Sequence, residues 1–256
     1  SLLLAPPPPS SFHITTGYFS MGIARIIFIT TNTRKVVEIQ ASLAKYGASS
    51  LPKIGAVPEG AVPDVVEAQG TPQAVVRHKC IGALTAIHQQ YAVPDSPAEN
   101  SRPSLCSLLD AVFPDDAPHS SATDTYIMVE DTSLEFDNLN GLPGAYIKDF
   151  FSTLGLRKLS ALARAPLDDK VDVSAPAGAH ARTLLALVPL LPPCTAAASG
   201  DQASPQPVVL EGVTDGHIVP LPDDFDGPSF GFDPIFYVPS VGATYHDMGM
   251  ETKNSV

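Results

Sequence analysis

The sequence predicts an α/β fold with a mixed β-sheet, and three observations point to this class. Short apolar, β-branched runs, which are typical of buried strands, recur along the chain. Stretches whose apolar residues repeat at helical spacing lie between them. The run 208–219 (VVLEGVTDGHIV) predicts a β-hairpin closing near Asp215 and Gly216, and a hairpin requires antiparallel strands. We therefore expect parallel and antiparallel strands in one sheet.

The first predicted elements are a strand and a helix. The run 25–31 (RIIFITT) has the composition of a buried strand. Val36, Ile39 and Leu43 then recur at helical spacing, which predicts a helix directly after this strand. Residues 1–24, which begin with an apolar and proline-rich stretch, are expected to form a disordered tail.

A second helix is predicted to begin at Pro72, with Thr71 as its N-cap. Its apolar stripe consists of Val76, Cys80, Ala83, Leu84 and Ile87. Two stretches rich in proline and small residues, at about 93–125 and 165–207, lack a sustained period. We expect both to be insertions that loop out from the surface, the second interrupted by a strand.

The remaining elements follow in order. A strand at 126–130 is followed by a Gly/Pro-rich loop at 140–145 and by a helix that ends near Ala163. Strand-like residues then occupy 182–191, and the segment 229–239 predicts a loop and a strand. With 256 residues, 44% of them hydrophobic, the chain is large enough to bury one sizeable core.

Charge and cysteine usage exclude several classes of function. The net charge is −12, from 15 Lys and Arg against 27 Asp and Glu, so nucleic acid is not an expected partner. The 3 cysteines are far apart and indicate free thiols in a reducing, cytoplasmic compartment rather than disulfides or a zinc site. The longest apolar run is too short to cross a bilayer, so no membrane partner is expected.

A candidate phosphate site lies where the first strand meets the first helix. Thr30, Asn32 and Lys35 surround the predicted helix N-terminus, whose free backbone N–H groups and partial positive charge suit an anion. The alternative is that Asn32 only caps the helix and Lys35 is solvated.

A second candidate phosphate site is the loop before Lys148. Its glycines permit close approach of the backbone to a ligand, and the lysine would neutralise phosphate. The alternative is an ordinary loop before a helix.

A candidate metal site lies at Glu130 and Asp131. Carboxylates at the end of a buried strand suit a hard cation such as Mg²⁺, and one of them could orient an attacking water. The alternative is a turn in which Asp131 is a local cap.

A candidate base site lies near the C-terminus. Phe230 could stack on a base, and Asp233 could accept hydrogen bonds from the N–H groups of that base. The alternative is that Phe230 belongs to the core.

Taken together and in this order, these segments resemble the inosine triphosphate pyrophosphatase family. The family's motifs T-x-N-x-x-K, V-E-D-T, G-L-P-G-x-Y-x-K and F-G-[WFY]-D-P match residues 30–35, 129–132, 141–148 and 230–234, and E-K-N-x-x-S-H-R begins at 252–254. The resemblance implies an elongated mixed β-sheet flanked by helices, with two lobes and a central cleft, in a homodimer. It also implies hydrolysis of ITP, dITP or XTP to the monophosphate and pyrophosphate, and hence cleansing of the nucleotide pool.

The resemblance also implies roles for individual residues. Glu67 would join Glu130 and Asp131 around Mg²⁺, with Mn²⁺ as an alternative ion, and Asp131 would activate the water. The other residues would bind the nucleoside triphosphate: Thr30, Asn32, Lys35, Lys79, Lys148, Phe230, Asp233 and Lys253. We count Lys35 and Lys148, with Asp131, as the catalytic set.

This chain departs from the family pattern in three places. Thr31 stands where the family commonly has glycine, the two insertions are long, and the chain ends at Val256, before the expected S-H-R. We therefore expect a truncated C-terminus within a domain that spans 25–256. Two alternatives stay open: a non-catalytic nucleotide-binding pseudoenzyme, and a protein that binds partners through its insertions.

Overall fold

The computed structural model describes residues 25–30, 33–45, 51–62, 65, 68–91, 103–119, 121–165, 176–191, 205–253 and 255. The predicted tail at 1–24 lies outside these residues. The strands are β1 (Arg25–Phe28), β2 (Lys53–Ala56), β3 (Thr125–Phe136), β4 (Pro143–Gly144), β5 (Ala177–Pro189), β6 (Val208–Ile218), β7 (Phe236–Val238) and β8 (Ala243–Thr244). The α-helices are α1 (Thr33–Lys45), α2 (Pro72–Gln90), α3 (Leu105–Val112), α4 (Ile147–Ala163) and α5 (Met250–Lys253).

All the strands of the described part belong to one mixed sheet. Its order is β2-β1-β3-β5-β6-β7-β8, and β4 pairs with the far end of β3. β1 runs parallel to β2 and β3, whereas β3 to β8 pair antiparallel. The prediction of a mixed sheet flanked by helices is confirmed.

Both helices predicted in the first half are present. The Thr71 side chain accepts a hydrogen bond of 3.3 Å from the backbone N–H of Ala74, and Pro72 begins α2. The whole predicted stripe from Val76 to Ile87 is buried against the sheet. The sequence was enough to predict α2, because the N-cap and the spacing of the apolar residues both lie within the helix segment itself.

The predicted hairpin at 208–219 is wrong, because β6 is one continuous strand. It pairs with β5 throughout, from Leu187 opposite Val208 to Ala177 opposite Ile218. Gly216 is not a turn residue: a Cβ there would lie 2.5 Å from the carbonyl oxygen of Tyr237 and 2.6 Å from the ring of Phe236. The glycine therefore lets β7 pack closely against β6.

The expectation that 93–125 loops out is also wrong for the part that the structure describes. Ser104 caps α3, whose apolar face is buried in the same core as α2; its residues are Leu105, Leu108, Leu109 and Val112. Their spacing is helical, but it spans only two turns within a polar, proline-rich stretch. Residues 92–102, 166–175 and 192–204 lie outside the described residues, so the extent of the insertions stays a prediction.

Three apolar clusters divide the sheet into two lobes. α2 and α3 cover one face of its first half, and α1 covers the other face. α4 covers the second half, on the face shared with α1, since Met128 beneath α1 and Leu134 beneath α4 are an even number of residues apart in β3. Between the two cores, Thr183 and Gly212 form an exposed cross-strand pair that no described helix covers.

This exposed pair separates the two lobes on the face that α1 and α4 cover, and we assign it to the floor of the central cleft. A Cβ at Gly212 would meet no atom of the described residues within 4 Å. None of the helices in the described segments has the length and apolarity that crossing a membrane demands.

Candidate functional site

Glu130 and Asp131 lie within β3 rather than at its end. The sequence predicted a strand that stops at Glu130, but antiparallel pairing with β5 carries β3 on to Phe136. On its other side, β3 pairs with β1 only as far as Met128 and with β4 only from Leu134. The two carboxylates therefore border a gap between β1 and β4 in the described sheet.

The Glu130 carboxylate meets α1. Lys35, in the first turn of α1, donates to Glu130 Oε1 from Nζ at 3.0 Å, and the Thr132 hydroxyl donates to the same oxygen at 2.8 Å. The Glu130 side chain is only 10% exposed. The strand–helix junction therefore brings a lysine and a carboxylate that are 95 residues apart into contact.

The Asp131 carboxylate meets α2 instead. Lys79 Nζ lies 3.8 Å from Asp131 Oδ1, and both side chains are largely buried. Lys79 adjoins the buried Cys80 of α2, so packing of that helix fixes where the lysine emerges. Glu130 and Asp131 are thus each matched by one lysine, on opposite faces of the sheet.

A third pair lies in the other lobe. Lys253 of α5 donates from Nζ to Asp233 Oδ2 at 2.6 Å, and the same nitrogen is 5.3 Å from the centre of the Phe230 ring. Burial raises the pKa of Asp233 above its ordinary value, although the hydrogen bond from Lys253 acts in the opposite direction. The pair is therefore a donor and an acceptor set side by side in a poorly solvated place.

The two phenylalanines of this segment have different environments. Phe230 is 38% exposed, whereas Phe232 is buried and packs edge-on against Phe236 at 6.0 Å. The alternative that Phe230 belongs to the core is therefore wrong, because its ring is partly exposed.

Glu38 belongs to the same surroundings and was not singled out from the sequence. Burial raises its pKa, and the charges that act on it include Lys253, Glu130, Asp233 and Lys35. Glu38 therefore lies within electrostatic range of charged groups from both lobes. The available signal was its position three residues after Lys35, which places both on one side of α1.

The other predicted residues are only partly located. Thr30 follows β1 and is half-buried, and Lys148 is exposed in the first turn of α4. Asn32 and Glu67 lie outside the described residues. Within the described ranges no group of three or more His, Cys, Asp and Glu side chains could hold a metal ion, so the predicted metal set stays a prediction.

Comparison with known proteins places this geometry in a family context. The Ham1 family model matches residues 107–256. An inosine triphosphate pyrophosphatase from Puccinia graminis f. sp. tritici is 29% identical over 237 residues, covering 92% of this chain and 91% of that protein. One of the same name from Chaetomium globosum is 31% identical over 229 residues, covering 90% and 83%. A HAM1 protein structure from Coxiella burnetii shares the fold, with a TM-score of 0.55, 21% identity and 91% coverage of both chains.

Proposed function

The chain belongs to the Ham1 family, and on that premise we propose that it is a nucleoside triphosphate pyrophosphatase. It hydrolyses non-standard purine nucleoside triphosphates, namely ITP, dITP and XTP, to the monophosphate and pyrophosphate, and so cleanses the nucleotide pool. Two full-length relatives with the name inosine triphosphate pyrophosphatase support this activity. The observation that carries it is the pairing of Lys253 with Asp233 beside the exposed ring of Phe230.

The Lys253–Asp233 pair complements the hydrogen-bonding edge of a 6-keto purine. Hypoxanthine presents an acceptor at O6 next to a donor at N1–H, which an ammonium and a carboxylate complement. Adenine presents a donor at N6 next to an acceptor at N1, so both contacts with ATP would be mismatched and unpaired. Phe230 would stack on the base face. Guanine shares the 6-keto edge, so this pair separates 6-keto from 6-amino purines.

The gap beside β3, beyond the end of β1, suits the triphosphate. Lys35 approaches Glu130 from α1, and Lys79 approaches Asp131 from α2 on the opposite face of the sheet. Lys148 stands at the start of α4. Thr30 and Asn32 precede α1 in the sequence, and the free N–H groups at a helix N-terminus suit an anion. Preorganised cations of this kind stabilise charge on the transferring phosphate and on the leaving pyrophosphate.

The donor set around β3 fits magnesium. Glu130 and Asp131 supply only carboxylate oxygens, and Mg²⁺ typically takes one or two carboxylates together with phosphate oxygens and water. Glu67 is proposed as a third acidic ligand, with Mn²⁺ as an alternative ion. The ion would neutralise charge on the phosphates.

Asp131 is the proposed base for the attacking water. Its largely buried carboxylate lies 3.8 Å from Lys79 Nζ, and a carboxylate oxygen can accept a proton from water. Lys35 is proposed to hold the Glu130 carboxylate in place until phosphate arrives. Cleavage between the α and β phosphates then needs the water in line with the departing pyrophosphate.

We further propose a homodimer in the cytoplasm, with the nucleotide as the small-molecule partner. The dimer is tested by light scattering, and a monomer at micromolar concentration contradicts it.

Neither alternative function is favoured. Against a pseudoenzyme, the described site keeps three lysine–carboxylate pairs. Against a protein that binds partners through its insertions, part of the first supposed insertion belongs to the core.

The deciding experiment measures pyrophosphate release from ITP, XTP, GTP and ATP with and without Mg²⁺. We expect turnover of ITP and XTP at least tenfold above ATP, and none without the metal. The Lys253→Met variant is the matched test of selectivity, since it keeps the length of the side chain and removes its charge. A folded protein that binds ITP without releasing pyrophosphate would instead be the pseudoenzyme.

A further inference from the structure

Lys253 lies close to the rings of two aromatic residues, the exposed Phe230 and Tyr245. The Lys253 Nζ is 4.9 Å from the centre of the Tyr245 ring and 5.3 Å from that of Phe230. The ammonium is therefore bounded by two aromatic rings and by the carboxylate of Asp233 at 2.6 Å. A flexible lysine side chain seldom has a single position unless its surroundings impose one, because it loses about 2 kcal/mol of rotamer entropy when fixed.

Three neighbouring groups restrict the position of Tyr245. It packs on the fully buried ring of Phe236 at a centroid distance of 4.8 Å. Its backbone N–H donates to the Phe236 carbonyl oxygen at 3.0 Å. Burial raises the pKa of the Tyr245 hydroxyl, so the phenol stays neutral at physiological pH, and the Thr214 side chain of β6 lies close enough to act on that pKa in the opposite direction.

We propose that Tyr245 is a positioning residue for base recognition, which holds the Lys253 ammonium where it meets the purine edge. This inference rests on the proposed function and adds a residue to its base site. Tyr245 acts through Lys253: the cation–π contact holds the ammonium beside the ring, and the neighbouring Thr214 limits rotation of the ring.

The test compares Tyr245→Leu with Tyr245→Phe and Thr214→Val. Tyr245→Leu removes the ring, and a cation–π contact of this kind corresponds to about 5- to 30-fold in affinity. We expect KM for ITP to rise by that factor while kcat stays within about twofold. Tyr245→Phe keeps the ring and restores KM to within about threefold of the wild type. Tyr237→Leu is the matched control, because it removes a tyrosine from the adjoining β7 that stacks on His217 instead.

A second readout does not depend on activity. The ring current of Tyr245 shifts the NMR signals of the Lys253 Cε protons, which are assigned by their loss in Lys253→Arg. We expect Tyr245→Leu to move these signals, Thr214→Val to move them part of the way, and Tyr237→Leu to leave them in place. If wild-type protein releases no pyrophosphate, the proposed function fails, yet these shifts still decide the position of Lys253.

Two results overturn the proposal. One is an unchanged Lys253 signal in Tyr245→Leu, and the other is a moved signal with an unchanged KM for ITP in an active protein. If Tyr245→Leu does not fold, Thr214→Val decides: it removes one hydroxyl and keeps the volume. Unaltered Lys253 shifts and KM in Thr214→Val then overturn the role of the anchored ring.

Discussion

The side chains of Glu130 and Asp131 leave β3 on opposite faces of the sheet. Glu130 meets Lys35 of α1 at 3.0 Å, and Asp131 lies 3.8 Å from Lys79 of α2. Side chains alternate along a strand, so two adjacent acidic residues in a continuous strand cannot share one face. They can address a common ligand only at the gap beyond the end of β1, where no described strand covers this part of β3.

Asp131→Asn separates catalysis from binding. The amide keeps the shape of the side chain but cannot take a proton from water, so we expect turnover of ITP to fall by about 10²- to 10⁴-fold. Binding of ITP, measured by calorimetry, should change by less than about tenfold. Glu59→Gln, at an exposed residue after β2, is the matched control. Unchanged turnover in Asp131→Asn would remove this residue from the mechanism.

Phe230→Ala tests base stacking. Base–aromatic stacking contributes about 1–3 kcal/mol, so KM for every purine triphosphate should rise by about 5- to 150-fold. Because the ring is exposed, the melting temperature should stay nearly constant. Val241→Ala, at an equally exposed residue, serves as the control. A large loss of stability with normal KM would instead place the ring in the core.

Glu38→Gln should stabilise the protein at neutral pH. Burial raises the folded-state pKa of Glu38 above 4.5. The protonated carboxyl therefore contributes to the free energy of unfolding below pH 4.5, and this contribution is lost as pH rises through the folded-state pKa. Glutamine cannot ionise and therefore does not incur this loss. Melting temperatures at pH 4 and pH 7.5 check this: the gain from Glu38→Gln must be larger at pH 7.5. An equal gain at both pH values would contradict it.

His180 should stabilise the second lobe at low pH. Its ring nitrogens lie 2.7 Å from Asp215 Oδ1 and 3.0 Å from Asp137 Oδ1, and the hydrogen bond to Asp215 raises the His180 pKa above 6.5. The contribution is complete below pH 6.5 and is lost as pH rises through the raised value. His180→Gln should therefore lower the melting temperature more at pH 5.5 than at pH 8.5. The effect is small, since the groups are exposed.

Leu109→Ala tests whether α3 belongs to the core. The leucine is fully buried, so its truncation should cost about 2–5 kcal/mol in the free energy of unfolding, measured with urea. Ala111→Ser, at an exposed residue of the same helix, should cost about 0.5 kcal/mol or less. Equal effects of the two changes would show that α3 lies outside the cooperative core.

The sequence by itself determined the features that depend on neighbouring residues. The N-cap at Thr71 and the stripe from Val76 to Ile87 predicted α2, and the motif order predicted the family. Both signals are complete within short segments. The same logic failed at Gly216, where a local turn signal masked a requirement for close packing against β7.

Only the tertiary structure decided which groups meet. Contacts between Lys35 and Glu130 join residues 95 positions apart, and the position of Glu38 among charges from both lobes depends on how α1 packs against the sheet. The local pattern also did not predict the length of β3. This strand continues past Glu130 and Asp131 because β5 pairs with it as far as Phe136. Such pairing is a property of two distant segments, and no single segment encodes it.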